Sequence, residues 1–99
     1  MTLPKRIEKA EKRVSQSQAK IYAEMAIKKL LKVPSTAKFS GMRGTSFEAV
    51  RFDGNKGYKV TGFLDSQNGF GAIIRSDYSI EIYYIKQIGA IKTRNARVE

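Results

Sequence analysis

Three carboxylates, Asp65, Asp77 and Glu81, fall within the run Leu64 to Tyr84 together with Arg75, Ser66 and the amides Gln67 and Asn68. Paired carboxylates can do acid and base work, and a loop rich in side-chain oxygen can hold a hard cation. The residue inventory argues against both. The chain has no His and no Cys, which removes the commonest general base, the commonest transition-metal ligand and any thiolate site. A hard cation wants about six to eight oxygen ligands, more than this loop offers. Asp77 and Glu81 alternate onto the polar side of a strand beside Arg75, where ion pairing accounts for them. Asp65, Ser66 and Asn68 are self-capping turn residues. The run Asn68-Gly69-Phe70-Gly71 lacks the Gly-Lys-Ser/Thr ending of a phosphate loop and leads into no helix. No catalytic residue, metal or cofactor is therefore expected, and the chain is read as a protein that is not an enzyme.

Binding is the chemistry left, and charge is its clearest sign. The net charge of +10 is unevenly spread, with +6 over residues 1–33, +1 over 34–85 and +3 over 86–99. Lys5, Arg6, Lys9, Lys12, Arg13 and Lys20 fall within about a 120° sector of a helix. Such a face suits the phosphate backbone of nucleic acid or a nucleoprotein complex, by steering and counterion release. Glu8 and Glu11 dilute it, and no aromatic is interleaved, so the contact expected is to backbone rather than bases. A solvated, solubilising face is the blander alternative.

A helix must carry those residues. From Pro4 to Val33 there is no glycine or internal proline and good helix formers dominate, which predicts one long N-terminal helix stopped by Pro34. Leu3, Ile7, Ala10, Val14, Ser17 and Ile21 form one seam at spacings of three and four residues. Ala19, Ala23, Ala26, Ile27, Leu30 and Leu31 cluster on the opposite side, so the apolar face changes sides near residue 20. Either the helix breaks near Ser15 to Gln18, or its second half covers the core while its first half projects. We favour projection, with Leu3, Ile7, Ala10, Val14 and Ile21 offered to a partner, most simply a second copy in a homodimer.

After Pro34 the pattern becomes strand-like. Segments near Ala37 to Met42, Thr45 to Phe52, Tyr58 to Leu64 and Ala72 to Tyr84 are predicted strands, with Asp53 to Gly57 as the turn between the second and third. Asn68-Gly69 reads as a tight two-residue hairpin turn. Phe70 beside it either folds back onto the sheet, the arrangement favoured here, or stands exposed as an anchor. Ile88 and Ile91 alternate weakly, and a basic tail over 93–99 is expected to fray. The fold class predicted is α+β, a single domain with a long N-terminal helix packed on an antiparallel meander of about four strands, the sheet covering 35–92.

Leu31 to Phe39, "LKVPSTAKF", taken with Val60 to Tyr78, "VTGFLDSQNGFGAIIRSDY", resembles a small uncharacterised α+β domain family of Gram-positive bacteria and their phages and mobile elements. In that pattern a helix ends in Leu-Lys-x-Pro-Ser-x-Ala-Lys-Phe and a later strand pair carries Val-Asp-Ser-Gln-Asn-Gly-Phe-Gly-Ala. Here Leu64 stands in place of the Val. The resemblance spans about residues 26–85, omits the basic N-terminal stretch, and implies a fold without an activity. Family members sit behind a membrane or secretory segment; no apolar run of that kind follows Lys5 and Arg6, and a cytoplasmic location without membrane association is expected.

Two functions follow as expectations. The first is a small non-catalytic binding protein of phage or mobile-element type whose basic helix binds nucleic acid or a nucleoprotein. The second is an anti-defence or anti-CRISPR-type inhibitor module that binds a host protein through Gln67, Asn68, Phe70 and the sheet face.

Overall fold

Ser15 opens the helix. Its backbone is extended (φ −84°, ψ 167°), its hydroxyl accepts the Gln18 N–H at 3.1 Å, and Gln18 Oε1 accepts the Ser15 N–H at 3.0 Å. This reciprocal pair is a capping box. Helix α1 accordingly runs Gln16–Lys28. The computed structural model describes residues 14–99.

The single helix expected over 4–33 is thus corrected at both ends. An extended Ser15 cannot lie inside a continuous helix, so the alternative break near Ser15 to Gln18 is the one adopted. At the other end Leu30 and Leu31 donate to Ile27 O and Lys28 O at 2.9 and 3.2 Å, a tightening that closes the last turn. Val33 then leaves helical space (φ −127°, ψ 81°) ahead of Pro34. A short 3₁₀ turn follows over Pro34–Thr36.

The sheet has five antiparallel strands where about four were expected: β1 Lys38–Phe39, β2 Ser46–Phe52, β3 Asn55–Gln67, β4 Ile73–Ile85 and β5 Ala90–Val98. Strands β2 to β5 form the meander. β1 pairs with β3 at Leu64 and Asp65, while β2 pairs with its earlier stretch, Asn55 to Thr61, so both lie on one edge. Asp53 and Gly54 make the β2–β3 turn with φ of 51° and 78°, the paired positive values of a type I′ hairpin. The segment beyond Lys92 is no frayed tail. It pairs with β4 out to Val98, and Glu99 and Asp77 exchange both backbone hydrogen bonds at 2.8 and 2.9 Å.

Strand register sorts the sheet into two faces. Val60, Leu64, Tyr78, Ile80 and Ile82 point to one side and are buried there against Ala19, Ala23 and Ile27 of α1. Two alanines at spacing i,i+4 leave the helix backbone close to the strands. The opposite face carries no helix among the described residues. Gly62 sits where a Cβ would lie 2.7 Å from Ser40 Oγ and 3.0 Å from the Tyr78 ring, so the close approach of Ser40, just past β1, and of Tyr78 on β4 to this point of β3 requires glycine. Tyr78 Oη is buried beside the Ser40 and Thr45 hydroxyls, and desolvation pushes its pKa up.

Candidate functional site

Beyond Leu64 the β3–β4 hairpin carries no buried residue until Tyr78. β3 and β4 stay paired to Gln67 and Ile73, and a five-residue loop, Asn68 to Ala72, replaces the expected two-residue Asn-Gly turn. Asn68 explains the difference. Its N–H donates to Ala72 O at 2.9 Å, its C=O accepts the Gly71 N–H at 3.0 Å, and its side-chain Oδ1 accepts the N–H of Phe70 at 2.9 Å and of Ala72 at 3.1 Å. A side chain that satisfies two backbone donors competes with the tight turn and wins. Gly71 supplies the one left-handed position, φ 85°.

The loop holds Phe70 in solvent. Its ring is 98% exposed, which corrects the expectation that it folds back onto the sheet. Its amide is hydrogen-bonded to Asn68 Oδ1, so the loop backbone that carries the side chain is ordered. Ile73 and Ile74 flank it at 72% and 47% exposure, on opposite faces of the strand. Ile74 shares the face of Leu64 and Tyr78 by register but is left half-exposed there. The apolar pair was missed as a surface because consecutive isoleucines fit either parity of a strand.

The base of this hairpin is tied down twice. Gln67 N–H donates to Thr36 Oγ1 at 2.9 Å, and Thr36 Oγ1 donates to Val33 O at 2.7 Å, so the "PST" turn grips the end of β3. Arg75 grips Asp65 across the strands, Nε to Oδ1 at 2.8 Å and Nη2 to Oδ2 at 3.1 Å. The Arg75 hydrogen bonds hold the Asp65 carboxyl below its ordinary value. Arg75 also lies over the Phe63 ring at 4.3 Å. Arg75 was expected to serve Asp77 and Glu81; register puts it directly opposite Asp65 instead. Asp65 and Ser66 are strand residues, and only Asn68 of that trio caps a turn. The two segments that carry the family resemblance are therefore in contact, through Thr36 with Gln67, Lys38 with Asp65 and Phe39 with Leu64.

Glu81 has separate partners. Its Oε1 accepts Tyr83 Oη at 2.7 Å and Arg94 Nη1 at 3.4 Å, and its Oε2 accepts Asn95 Nδ2 at 2.9 Å. Asn95 first, then Tyr83, lower its pKa against the opposing effect of burial. Among the described residues no three Asp or Glu side chains converge as a metal site would need.

The helical candidates divide. Lys5, Arg6, Lys9, Lys12 and Arg13, with Leu3, Ile7 and Ala10 of the seam, lie outside the described residues. Lys20 is largely covered and pairs with Glu24 one turn on, which removes it from a phosphate-binding face. Val14 and Ile21 are not on one seam: Val14 is 5% exposed in the domain core while Ile21 is 59% exposed. The reason is the cap between them. Val14 precedes Ser15, at the staple position against Ala19, and does not share the angular register of α1.

Among the described residues no helix is long and apolar enough to cross a membrane. No protein-family model matches this chain, and neither a curated protein nor a solved structure matches it.

Proposed function

We propose that this chain is a non-catalytic binding protein that recognises a protein partner through the β3–β4 hairpin tip, with Phe70 as the anchor. The observation that carries this reading is the exposure of the Phe70 ring on a loop closed by four hydrogen bonds to Asn68. An aromatic held in water by a pre-ordered loop loses little conformational freedom when a pocket covers it, which is how anchors gain affinity. Ile73 and Ile74 extend the apolar contact, and Gln67 and Asn68 provide its polar rim. Asp65 and Arg75 neutralise one another behind the tip, so the contact should respond weakly to salt.

The resemblance to proteins of phages and mobile elements, together with the small size and strong charge, favours a host-protein inhibitor of anti-defence type. The nucleic-acid reading of Lys5, Arg6, Lys9, Lys12 and Arg13 is a separate proposal; Lys9→Glu with Arg13→Glu, followed by a nucleic-acid binding titration, tests it.

The tip reading is tested by placing a photo-reactive phenylalanine analogue at position 70 and, in a second preparation, at Ile21. Both are irradiated in a lysate of the cells that carry this chain. A protein adduct that forms at 70, is absent at 21 and is competed away by unlabelled wild-type chain is the expected result. Equal adducts at both positions would overturn the reading.

A further inference from the structure

We infer that the outer face of the sheet along β5 is a phosphate-binding strip for the backbone of an open nucleic-acid strand. A β-bulge creates it. Ser79 pairs with Arg97 and Glu81 with Arg94, so β5 spends one residue more than β4 between these rungs. In a regular strand Arg94 and Arg97, three apart, would point to opposite faces. The extra residue re-phases the strand and returns Arg97 to the face that already holds Arg94 and Lys92. Asn95 takes up the irregularity in a left-handed conformation, φ 54°, and its side chain donates to Glu81.

The result is a column of three cations, Lys92, Arg94 and Arg97, on a sheet face that carries no helix among the described residues. Arg97 lines a hollow of about 290 Å³ with Lys59, Ser79, Glu81 and Asn95. Five carboxylates share this face by register: Asp65 is held by Arg75, and Asp77 lies opposite Glu99 just past the end of β5, beside Arg97. Glu48 lies opposite Lys59 in register, and Glu81 has both oxygens engaged by Tyr83, Arg94 and Asn95. Among the described residues neither Lys92 nor Arg97 has a carboxylate at ion-pairing distance. Arg94 is stacked on Phe52, its guanidinium carbon 3.7 Å from the ring centre, leaving the far side of the guanidinium plane for a nucleobase. Cations in file beside a stacking plane are what an open strand requires, with phosphates on the former and a base on the latter. Charges on an edge strand also discourage sheet extension, a role that a change of sign preserves and phosphate binding does not.

The test is fluorescence anisotropy of a short labelled single strand and of its duplex at about 50 and 200 mM salt. Wild type is compared with Lys92→Glu/Arg97→Glu and with Lys28→Glu/Lys29→Glu, which makes the same charge change at the C-terminal end of α1. Wild type should bind the single strand more tightly than the duplex and weaken steeply with salt. The β5 pair should bind at least tenfold more weakly, the α1 pair within about threefold of wild type. Equal loss in both pairs, no loss in the β5 pair, or a wild type that binds neither probe at the lower salt would overturn the inference. A tighter duplex complex would overturn the assignment to an open strand.

Discussion

Asn68 Oδ1 accepts the backbone N–H of Phe70 at 2.9 Å, and the ring on that residue stands almost fully in water. One side chain therefore both closes the loop and fixes the direction of the aromatic. Asn68→Ala removes two hydrogen bonds, each worth about 1 kcal/mol, while leaving the core alone. Amide exchange at Phe70 and Ala72 should rise several-fold with global stability changed by less than about 1 kcal/mol. Unchanged exchange at both amides would show that the loop is ordered by something else.

The Ser15 cap separates Val14 from the helical register, and its loss should be felt in the core. Ser15→Ala is expected to cost about 1 kcal/mol in a denaturant titration, and Ser15→Asp to restore most of it. Ile27→Ala, which empties a fully buried site against the sheet, should cost about 2–5 kcal/mol.

The crowded corner of Gly62, Ser40, Thr45 and Tyr78 makes two expectations of opposite sign. Gly62→Ala forces a methyl against Ser40 Oγ and the Tyr78 ring and should destabilise by about 1–3 kcal/mol. Tyr78→Phe deletes a buried hydroxyl that lacks a well-formed hydrogen bond, so the change should be neutral or stabilising. Thermal melts of the two variants check both.

Glu81 couples stability to acid. Its folded pKa lies below the ordinary 4.5, held there first by Asn95, then by Tyr83. A group depressed on folding contributes in full above its unfolded value and loses that contribution as pH falls through the folded one. Asp65, lowered by Arg75, acts in the same direction from 3.8 downward. Stability measured by denaturant between about pH 6 and pH 3 should fall below the ordinary carboxylate range, and Glu81→Gln should flatten part of that fall. An unchanged slope in the variant would refute the linkage.

Much of the sheet was legible from residues alone. The turn expected over Asp53 to Gly57 marked the β2–β3 hairpin but ran three residues too long, since Asn55 to Gly57 already belong to β3, and the strands expected over Tyr58 to Leu64 and Ala72 to Tyr84 correspond to β3 and β4. The stripe Ala19, Ala23 and Ile27 was also readable, because it obeys the helical period without interruption. Three features were obscured by local irregularity. The capping box of Ser15 and Gln18 was outweighed by the helix propensity of its neighbours. β5 hid behind its bulge, since Ile91, Thr93 and Val98 share a face only once the extra residue near Asn95 is counted. At the hairpin tip an Asn-Gly pair suggests the tightest turn, while the side chain of that same Asn builds a longer one. Exposure of Phe70 depends on what packs against the hairpin tip, a tertiary fact that no local pattern encodes.

The most direct measurement is a binding titration of the partner captured at position 70 against wild type and Phe70→Ala, at about 50 and 200 mM salt, with melting temperatures taken alongside. Phe70→Ala should weaken binding by at least about 30-fold, the effect of losing an anchor worth about 2 kcal/mol. Its melting temperature should stay unchanged, and salt should alter the wild-type affinity only mildly. Wild-type affinity retained by Phe70→Ala would contradict the role assigned to the hairpin tip.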